Sequence, residues 1–199
     1  MKPIERSELL GLAEYEKVRE HFRGRIIAEK KARRVALGPN ASCVFENRDT
    51  ALMQIQEMLR TERITRPAAI DHEIETYNQL VPGDHELSAT VLVEIDEKAD
   101  RETFLFEAKG LDRAFALVVD GTRCHGKHDE ARESPDRTTA VHYLKFPLEP
   151  AAESALRDVL AKKRKPADVT IELVVEHPRY SAKTVLAASL VQSLAEDLA

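Results

Sequence analysis

The chain has 199 residues, of which 43% are hydrophobic and 33% are charged, and its formal net charge is -5. This length and hydrophobic content suffice for one compact domain spanning residues 1–199. The mild negative charge gives no general attraction to nucleic acid or to an anionic membrane. No apolar run approaches the roughly 20 residues of a membrane-spanning helix, and the start lacks a signal-peptide core. We therefore expect a cytoplasmic protein with no nucleic-acid and no membrane partner.

Residues 1–84 are predicted to be rich in helix. Apolar residues recur at helical spacing from Tyr15 onward and predict a long amphipathic helix that ends near Arg34. Two short apolar runs then flank the turn-forming segment 38–40 and predict a hairpin. A further helix begins at Pro67, a favoured first helical position, and ends before Pro82.

Between the hairpin and Pro67, the stretch FENRDTALMQIQEMLRTERI predicts a helix with two faces that need cover. Asp49 is its expected N-cap, and one face is ordinary apolar core. The other face carries Met53. Either Met53 is a single exposed apolar residue, or a second element or a second subunit packs on it, with Glu57 and Arg60 pairing across or along the helix. We carry forward a homodimer whose contact surface contains Met53, Gln56, Glu57, Arg60 and Ile64.

From residue 85 the apolar residues alternate with a period of two, which predicts strands. The first strand runs from Leu87 to Ile95, with Ser88 and Thr90 on its solvent side. A helix, two strands, a second helix opened by Pro150 and a fourth strand follow. The order βαββαβ predicts an α+β fold in which residues 85–199 form a ferredoxin-like, mostly antiparallel sheet with two helices on one face. Its other face then needs cover from the N-terminal helices or a second subunit, and a last helix docks on the body.

The densest group of metal-ligating residue types is CHGKHDE, from Cys124 to Glu130. Adjacent ligands such as Cys124 and His125 seldom reach one ion, and no second pair stands at structural-zinc spacing. We therefore interpret this segment as a flexible polar loop. Cys43 and Cys124 stand in unlike contexts, so we predict two free thiols.

Four further residues are candidates for a ligand or metal site. On the helix that begins at Pro67, His72 and Glu75 share a face with Gln79, which is either a metal-binding face or simply a solvated one. His142 alternates with apolar residues and is either a structural core histidine or a catalytic one. His177 follows a strand, where binding groups often collect, although a simple turn also fits. A metal-dependent or redox enzyme that uses some of these residues is our second hypothesis.

The motifs of nucleophilic and nucleotide chemistry are absent from the sequence. It has no G-x-S-x-G elbow, no P-loop and no G-x-G-x-x-G, and its seven glycines leave little scope for a phosphate-cradling loop. We predict no cofactor. The first hypothesis is therefore a non-enzymatic accessory or interaction protein.

Five stretches of the chain carry a resemblance. These are MKPIERSELLGLAEYEKVR, KKARRVALG, FENRDTALMQIQEMLRTERI, PGDHELSATVLVEI and AVHYLKF. Together they resemble an uncharacterised bacterial family, the domain of unknown function numbered 3501. The resemblance brings no established activity, cofactor or catalytic residue. Members are often encoded near rubrerythrin-like and cysteine-rich iron-sulfur proteins, which implies such proteins as partners and an accessory role in redox or peroxide-stress metabolism.

Overall fold

Two antiparallel four-stranded β-sheets and six α-helices make up the computed structural model, which describes residues 1–129 and 136–199. The helices are α1 (Leu12–Ala32), α2 (Arg48–Thr61), α3 (Pro67–Asn78), α4 (Lys98–Glu107), α5 (Pro150–Leu160) and α6 (Ala188–Glu196). The strands are β1 (Arg34–Ala36), β2 (Ala41–Glu46), β3 (Glu86–Val93), β4 (Phe115–Val119), β5 (Thr122–His125), β6 (Val141–Pro147), β7 (Ile171–His177) and β8 (Tyr180–Val185). In these two described ranges, no helix has the length and apolar character needed to cross a membrane.

The two sheets are linked at both sides. Their strand orders are β1-β2-β3-β6 and β5-β4-β7-β8. Just after β5, Lys127 forms a bridge to Lys145 of β6, with reciprocal N–H···O distances of 2.7 and 2.8 Å. On the other side, the Tyr180 hydroxyl of β8 donates to the carbonyl of Leu37, and Thr184 donates to the carbonyl of Ala36 at 2.6 Å. The segment after β5 therefore extends the second sheet onto β6, while β8 is held against the β1–β2 hairpin.

One hydrophobic core lies between the inward faces of both sheets. The period-two alternation places residues such as Phe45, Leu87, Leu117 and Leu173 on these faces, and all four are 0% exposed. Side chains of α4, α5 and α6 complete the same core. Each fully buried side chain of this size contributes roughly 1.5–3 kcal/mol to stability.

A second, smaller core joins the N-terminal segment to α2 and α3. Ile4, Ile55 and Ile74 are among its buried residues. The outer face of the first sheet is covered at β3, where Ser88 and Thr90 are only 2% and 8% exposed. Their predicted position on a solvent face is therefore wrong.

The α+β class is confirmed, but the ferredoxin-like arrangement is not. The four strands predicted for residues 85–199 are divided between the sheets: β3 and β6 pair with each other, whereas β4 pairs with β7. The predicted hairpin is present, yet β2 pairs with β3 and so lies inside the first sheet. A separate helical N-terminal half is therefore not confirmed. Alternation encodes which face of a strand is buried and leaves its pairing partner open, and β5 and β8 were not predicted.

The helix starts follow local hydrogen bonding. The α2 N-cap is Asn47, whose side-chain oxygen accepts the Thr50 N–H at 3.0 Å while the Thr50 hydroxyl oxygen accepts the Asn47 N–H at 2.9 Å. The prediction of Asp49 as N-cap is wrong. Asp49 instead accepts a hydrogen bond from Arg25 of α1 at 2.6 Å. The predicted start of α3 at Pro67 is confirmed.

Candidate functional site

A pocket with several polar and charged residues in its walls opens beside the bridge between Lys127 and Lys145. It consists of an inner cavity of about 150 Å³ and an outer cavity of about 500 Å³. The residues that line both cavities are Gln79, His128, Asp129 and Tyr143. Because the cavities share these walls, we treat them as one site and call it the His142 pocket, after the histidine that lines its inner cavity.

Three parts of the fold supply the walls. Gln79 immediately follows α3, and residues 127–129 follow β5. Strand β6 contributes His142 and Tyr143, whose side chains point to opposite faces because they are consecutive in a strand. The pairing of β6 with residue 127 brings the segment after β5 alongside these two side chains. The pocket thus depends on the junction of the two sheets.

His142 is the most unusual residue of the pocket. It is only 5% exposed, and its Nε2 has no hydrogen-bond partner in the described part of the chain. Burial lowers the pKa of His142 to about 4, and the nearby Asp112 only partly opposes this. A hydrogen bond to the Thr139 backbone also favours the protonated ring, as expected when a ring N–H donates to a carbonyl. His142 is therefore neutral at pH 7, with its Nδ1–H donated and its Nε2 left as an acceptor.

A second histidine lies in the same inner cavity. His128 Nε2 is 3.2 Å from Asp112 Oδ2, and the two side chains are only 13% and 15% exposed. Asp112 is in a short 3₁₀ turn that follows Gly110, whose φ of +83° suits glycine. The pair places one carboxylate and one imidazole in the inner cavity that His142 also lines.

The outer cavity carries charges of both signs. Lys145 Nζ donates to the carbonyl of Val81 at 2.6 Å and lies 3.0 Å from a carboxylate oxygen of Glu86. Lys127 and Asp129 also line this cavity. The mixture suits a polar ligand of small net charge better than a strongly charged one.

Metal and thiol chemistry find little support here. Across residues 1–129 and 136–199, no three His, Cys, Asp or Glu side chains are grouped so that they could hold a metal ion. Both cysteines are free and buried, and burial raises the pKa of each thiol. They are therefore protonated at neutral pH, which disfavours thiolate reactivity.

The prediction of a flexible polar loop from Cys124 to Glu130 is wrong for Cys124, His125 and Lys127, whereas Gly126, His128 and Asp129 lie outside regular secondary structure. Residues 122–125 form β5, Lys127 forms the bridge, and His128 and Asp129 line the pocket. Glu130 lies outside the described residues. Alternation could have identified β5 only weakly, because the strand has four residues and a single buried side chain.

The polar residues of the predicted contact surface on α2 form contacts within the chain. Gln56 is buried, accepts the Leu10 N–H at 2.7 Å and donates to the Leu10 carbonyl at 3.2 Å. Ile64 packs at the edge of the smaller core, and Met53 is half-buried.

The remaining two residues of that surface bind α1. Glu57 accepts hydrogen bonds from Arg19 at 2.9 Å and from the Tyr15 hydroxyl at 2.8 Å. Arg60 donates to Glu16 at 2.6 Å. The second element that packs on this face of α2 is therefore α1, while contact with another subunit stays a prediction.

The four candidate ligand residues do not form one site. His72 and Glu75 are exposed on α3, and His177 lies at the end of β7, where its Nε2 is 3.0 Å from the Lys109 carbonyl oxygen. Only His142 lines the pocket. Gln79, which the sequence placed on the face of His72 and Glu75, does reach it. Asp112 and Tyr143 were not singled out, because a short polar turn and an exposed strand position carry no distinctive pattern.

The comparisons with known proteins place the chain in a family. The profile of the family described as Protein of unknown function (DUF3501) matches residues 3–198. The chain therefore belongs to this family, and the predicted resemblance is confirmed. A solved structure, the crystal structure of a novel protein of unknown function from Burkholderia pseudomallei, is 31% identical, with a TM-score of 0.88 and 100% of both chains covered. No curated protein matches the chain.

Proposed function

We propose that this protein is a non-enzymatic accessory protein that binds a small polar molecule in the His142 pocket. The observation that carries the proposal is that His142 lines a cavity while its Nε2, itself shielded from solvent, has no hydrogen-bond partner among the described residues. A buried polar atom without a partner costs about 1–3 kcal/mol, and a ligand that satisfies it recovers much of that free energy. The proposal is thus based on an atom that needs a partner.

The protonation state of the His142 imidazole determines which group of the ligand can bind to it. A neutral imidazole with a free Nε2 accepts a hydrogen bond, so the ligand presents an N–H or O–H group to it. The outer cavity, with lysines and carboxylates at its walls, accommodates the rest of a polar molecule. The outer cavity, at about 500 Å³, lies within the size range of small-ligand sites, about 300–1,000 Å³.

The enzyme alternative has less support. His72, Glu75 and His177 do not line the pocket, and no three-ligand metal group is present among the described side chains. A link to redox or peroxide-stress metabolism, and partners of the rubrerythrin or iron-sulfur type, rest on the family resemblance alone and stay predictions.

A ligand screen tests the proposal. Small hydroxy acids, amino acids, amides and purine or pyrimidine bases would be screened by thermal shift against the wild type, His142→Phe and His177→Gln. At a concentration of about 100 Kd, a ligand adds about 2.7 kcal/mol, which raises Tm by roughly 5–10 °C for a chain of this size. We expect this shift in the wild type and in His177→Gln, and its loss in His142→Phe.

Two further outcomes would show either that the ligand does not contact His142 or that water alone fills the inner cavity. If every shift persists in His142→Phe, the ligand does not contact His142 and the proposal is wrong. If no compound gives a shift, ¹⁵N NMR of the His142 ring decides: an Nε2 resonance typical of a solvated acceptor indicates that water alone fills the inner cavity.

A further inference from the structure

The second unexplained feature of the molecule is an apolar groove between α1 and α2. The groove encloses about 250 Å³ and lies far in sequence from the His142 pocket. Its apolar walls are Leu10, Val18, Phe22 and Leu52. Leu10 and Val18 are 41% and 44% exposed, so a groove with a solvent-exposed apolar wall faces outward here.

Helix α1 is poorly buried for its length. Of its 21 residues, only Tyr15 and Ile26 are buried. A helix of this size is about 31 Å long, so it presents a long exposed surface beside the groove. A surface helix usually buries a wider apolar stripe than this.

The charges along this side of α1 are separated. Glu14 is exposed one turn before Val18, while Arg25 lines the groove two turns after it, where it donates to Asp49 of α2 at 2.6 Å and keeps half of its side chain exposed. The side of α1 next to the groove therefore has an acidic end, a centre that contains Val18, His21 and Phe22, and an end that carries the half-exposed Arg25. Such a surface complements a second copy of itself in the antiparallel direction, because a two-fold axis pairs each acidic end with the other copy's basic end.

We infer that the groove binds α1 of a second copy of this chain, forming a two-fold symmetric dimer. Val18 of each copy fills the groove of the other, and Glu14 of each copy pairs with Arg25 of its partner. The inference is independent of the His142 pocket. It also differs from the predicted dimer surface on α2, whose polar residues are bound to α1 and the N-terminal segment.

Two matched substitutions test the apolar contact. Val18 and Ile27 have nearly equal exposure, 44% and 46%, but stand nine residues apart and so on opposite sides of α1. Sedimentation equilibrium up to about 100 µM should show a dimer for the wild type and for Ile27→Lys, and at least a tenfold weaker dimer for Val18→Lys. Unchanged thermal unfolding of Val18→Lys at low concentration excludes misfolding as the cause.

A charge exchange tests the orientation. Glu14→Arg and Arg25→Glu should each weaken the dimer, and the double variant should dimerise more tightly than Arg25→Glu alone because the intersubunit pairs re-form with opposite signs. Both variants at position 25 lose the intrachain pair with Asp49, so they are compared with each other. A wild-type monomer at about 100 µM overturns the inference, since a specific interface is stable in that range. The inference is equally overturned if Val18→Lys and Ile27→Lys change the dimer affinity to the same extent. Crosslinking from residue 18 in cells would also overturn it if the crosslinks reach only a different protein.

Discussion

Two buried polar centres of this molecule, Arg33 and His142, differ in how far their hydrogen-bonding groups are satisfied. Arg33 is 2% exposed and donates to the carbonyls of Phe45 and Glu46, to Ser193 and to the Asp197 carboxylate. His142 is equally inaccessible, yet one of its nitrogens has no partner within the described residues. A saturated buried group is explained by the fold, whereas an unsaturated one next to a cavity requires a further explanation, which the proposed ligand supplies.

The ion pair at Arg33 has a clear structural role. It joins the start of β1 to α6, near the end of the chain, and lies between β2 and that helix. Burial raises the pKa of Asp197 to about 6, although Arg33 acts in the opposite direction. The carboxylate is thus mostly ionised at pH 7 and depends on Arg33 for compensation.

The largest expected effect is on Arg33. Arg33→Met should lower the free energy of unfolding by about 3–5 kcal/mol at pH 7, because Asp197 is left as an uncompensated buried charge. Urea denaturation measures this. The control is Arg34→Met, which removes an exposed ion pair to Glu94 and a hydrogen bond to Ser42 and should cost under about 2 kcal/mol. Similar losses of unfolding free energy for both variants would show that the buried contacts of Arg33 contribute no more to stability than those of Arg34.

Measuring the free energy of unfolding as a function of pH tests whether His142 is buried in its neutral form. The pKa of His142 is about 4 in the folded state against an ordinary value of 6.5, so the unfolded chain binds this proton more tightly. The stability due to neutral His142 is complete above pH 6.5 and is lost as the pH falls through about 4. In His142→Phe this loss, about 2–3 kcal/mol, should disappear.

Asp197 acts with the opposite sign in the same experiment. Its pKa is raised in the folded state, so its contribution to stability falls as the pH rises through about 6. The difference between wild type and His142→Phe cancels that contribution, since Asp197 is present in both. A difference that does not change between pH 7 and pH 4 would contradict a buried neutral His142.

The smallest effect concerns the contact of α1 with α2, which is only partly buried. The hydrogen bonds from Arg19, supported by Tyr15, lower the pKa of Glu57. Glu57→Gln should cost about 1–2 kcal/mol, since charge-assisted hydrogen bonds are lost. The exposed pair of Arg60 with Glu16 is the control, and Arg60→Met should cost under about 0.5 kcal/mol. Equal costs in urea denaturation would mean that partial burial does not strengthen the Glu57 pairs.

The spacing of apolar residues predicted those helices and strands that are long enough to show several repeats of the pattern. The helices from Leu12, Pro67 and Pro150 and the strand from Glu86 follow the expected patterns. Short or mixed segments were not predicted. In β8 the burial of the side chains alternates, but Tyr180 is the one buried residue of the strand and the other inward positions are only half-buried. The division into two sheets could not be predicted, because it depends on long-range pairing such as that of Cys43 with Val91.

The candidate site was predicted only in part, for a similar reason. His142 was identified because it interrupts an apolar alternation. Its neighbours Asp112 and His128 come from separate loops that the fold brings together, and no spacing along the chain relates them to position 142. Glu57 and Arg60 of α2 contact α1, but a pattern on one helix does not distinguish α1 from a second subunit.

The bridge between Lys127 and Lys145 allows occupancy to be followed by hydrogen exchange. Both amide hydrogens are bonded across the junction of the sheets, so each exchanges only when that junction opens locally. Both residues also line the His142 pocket. A bound molecule that requires the closed junction therefore slows exchange at both amides by the factor 1 + [L]/Kd, while amides of β1 keep their rates. The exchange rates of these two amide protons can thus report binding in the pocket.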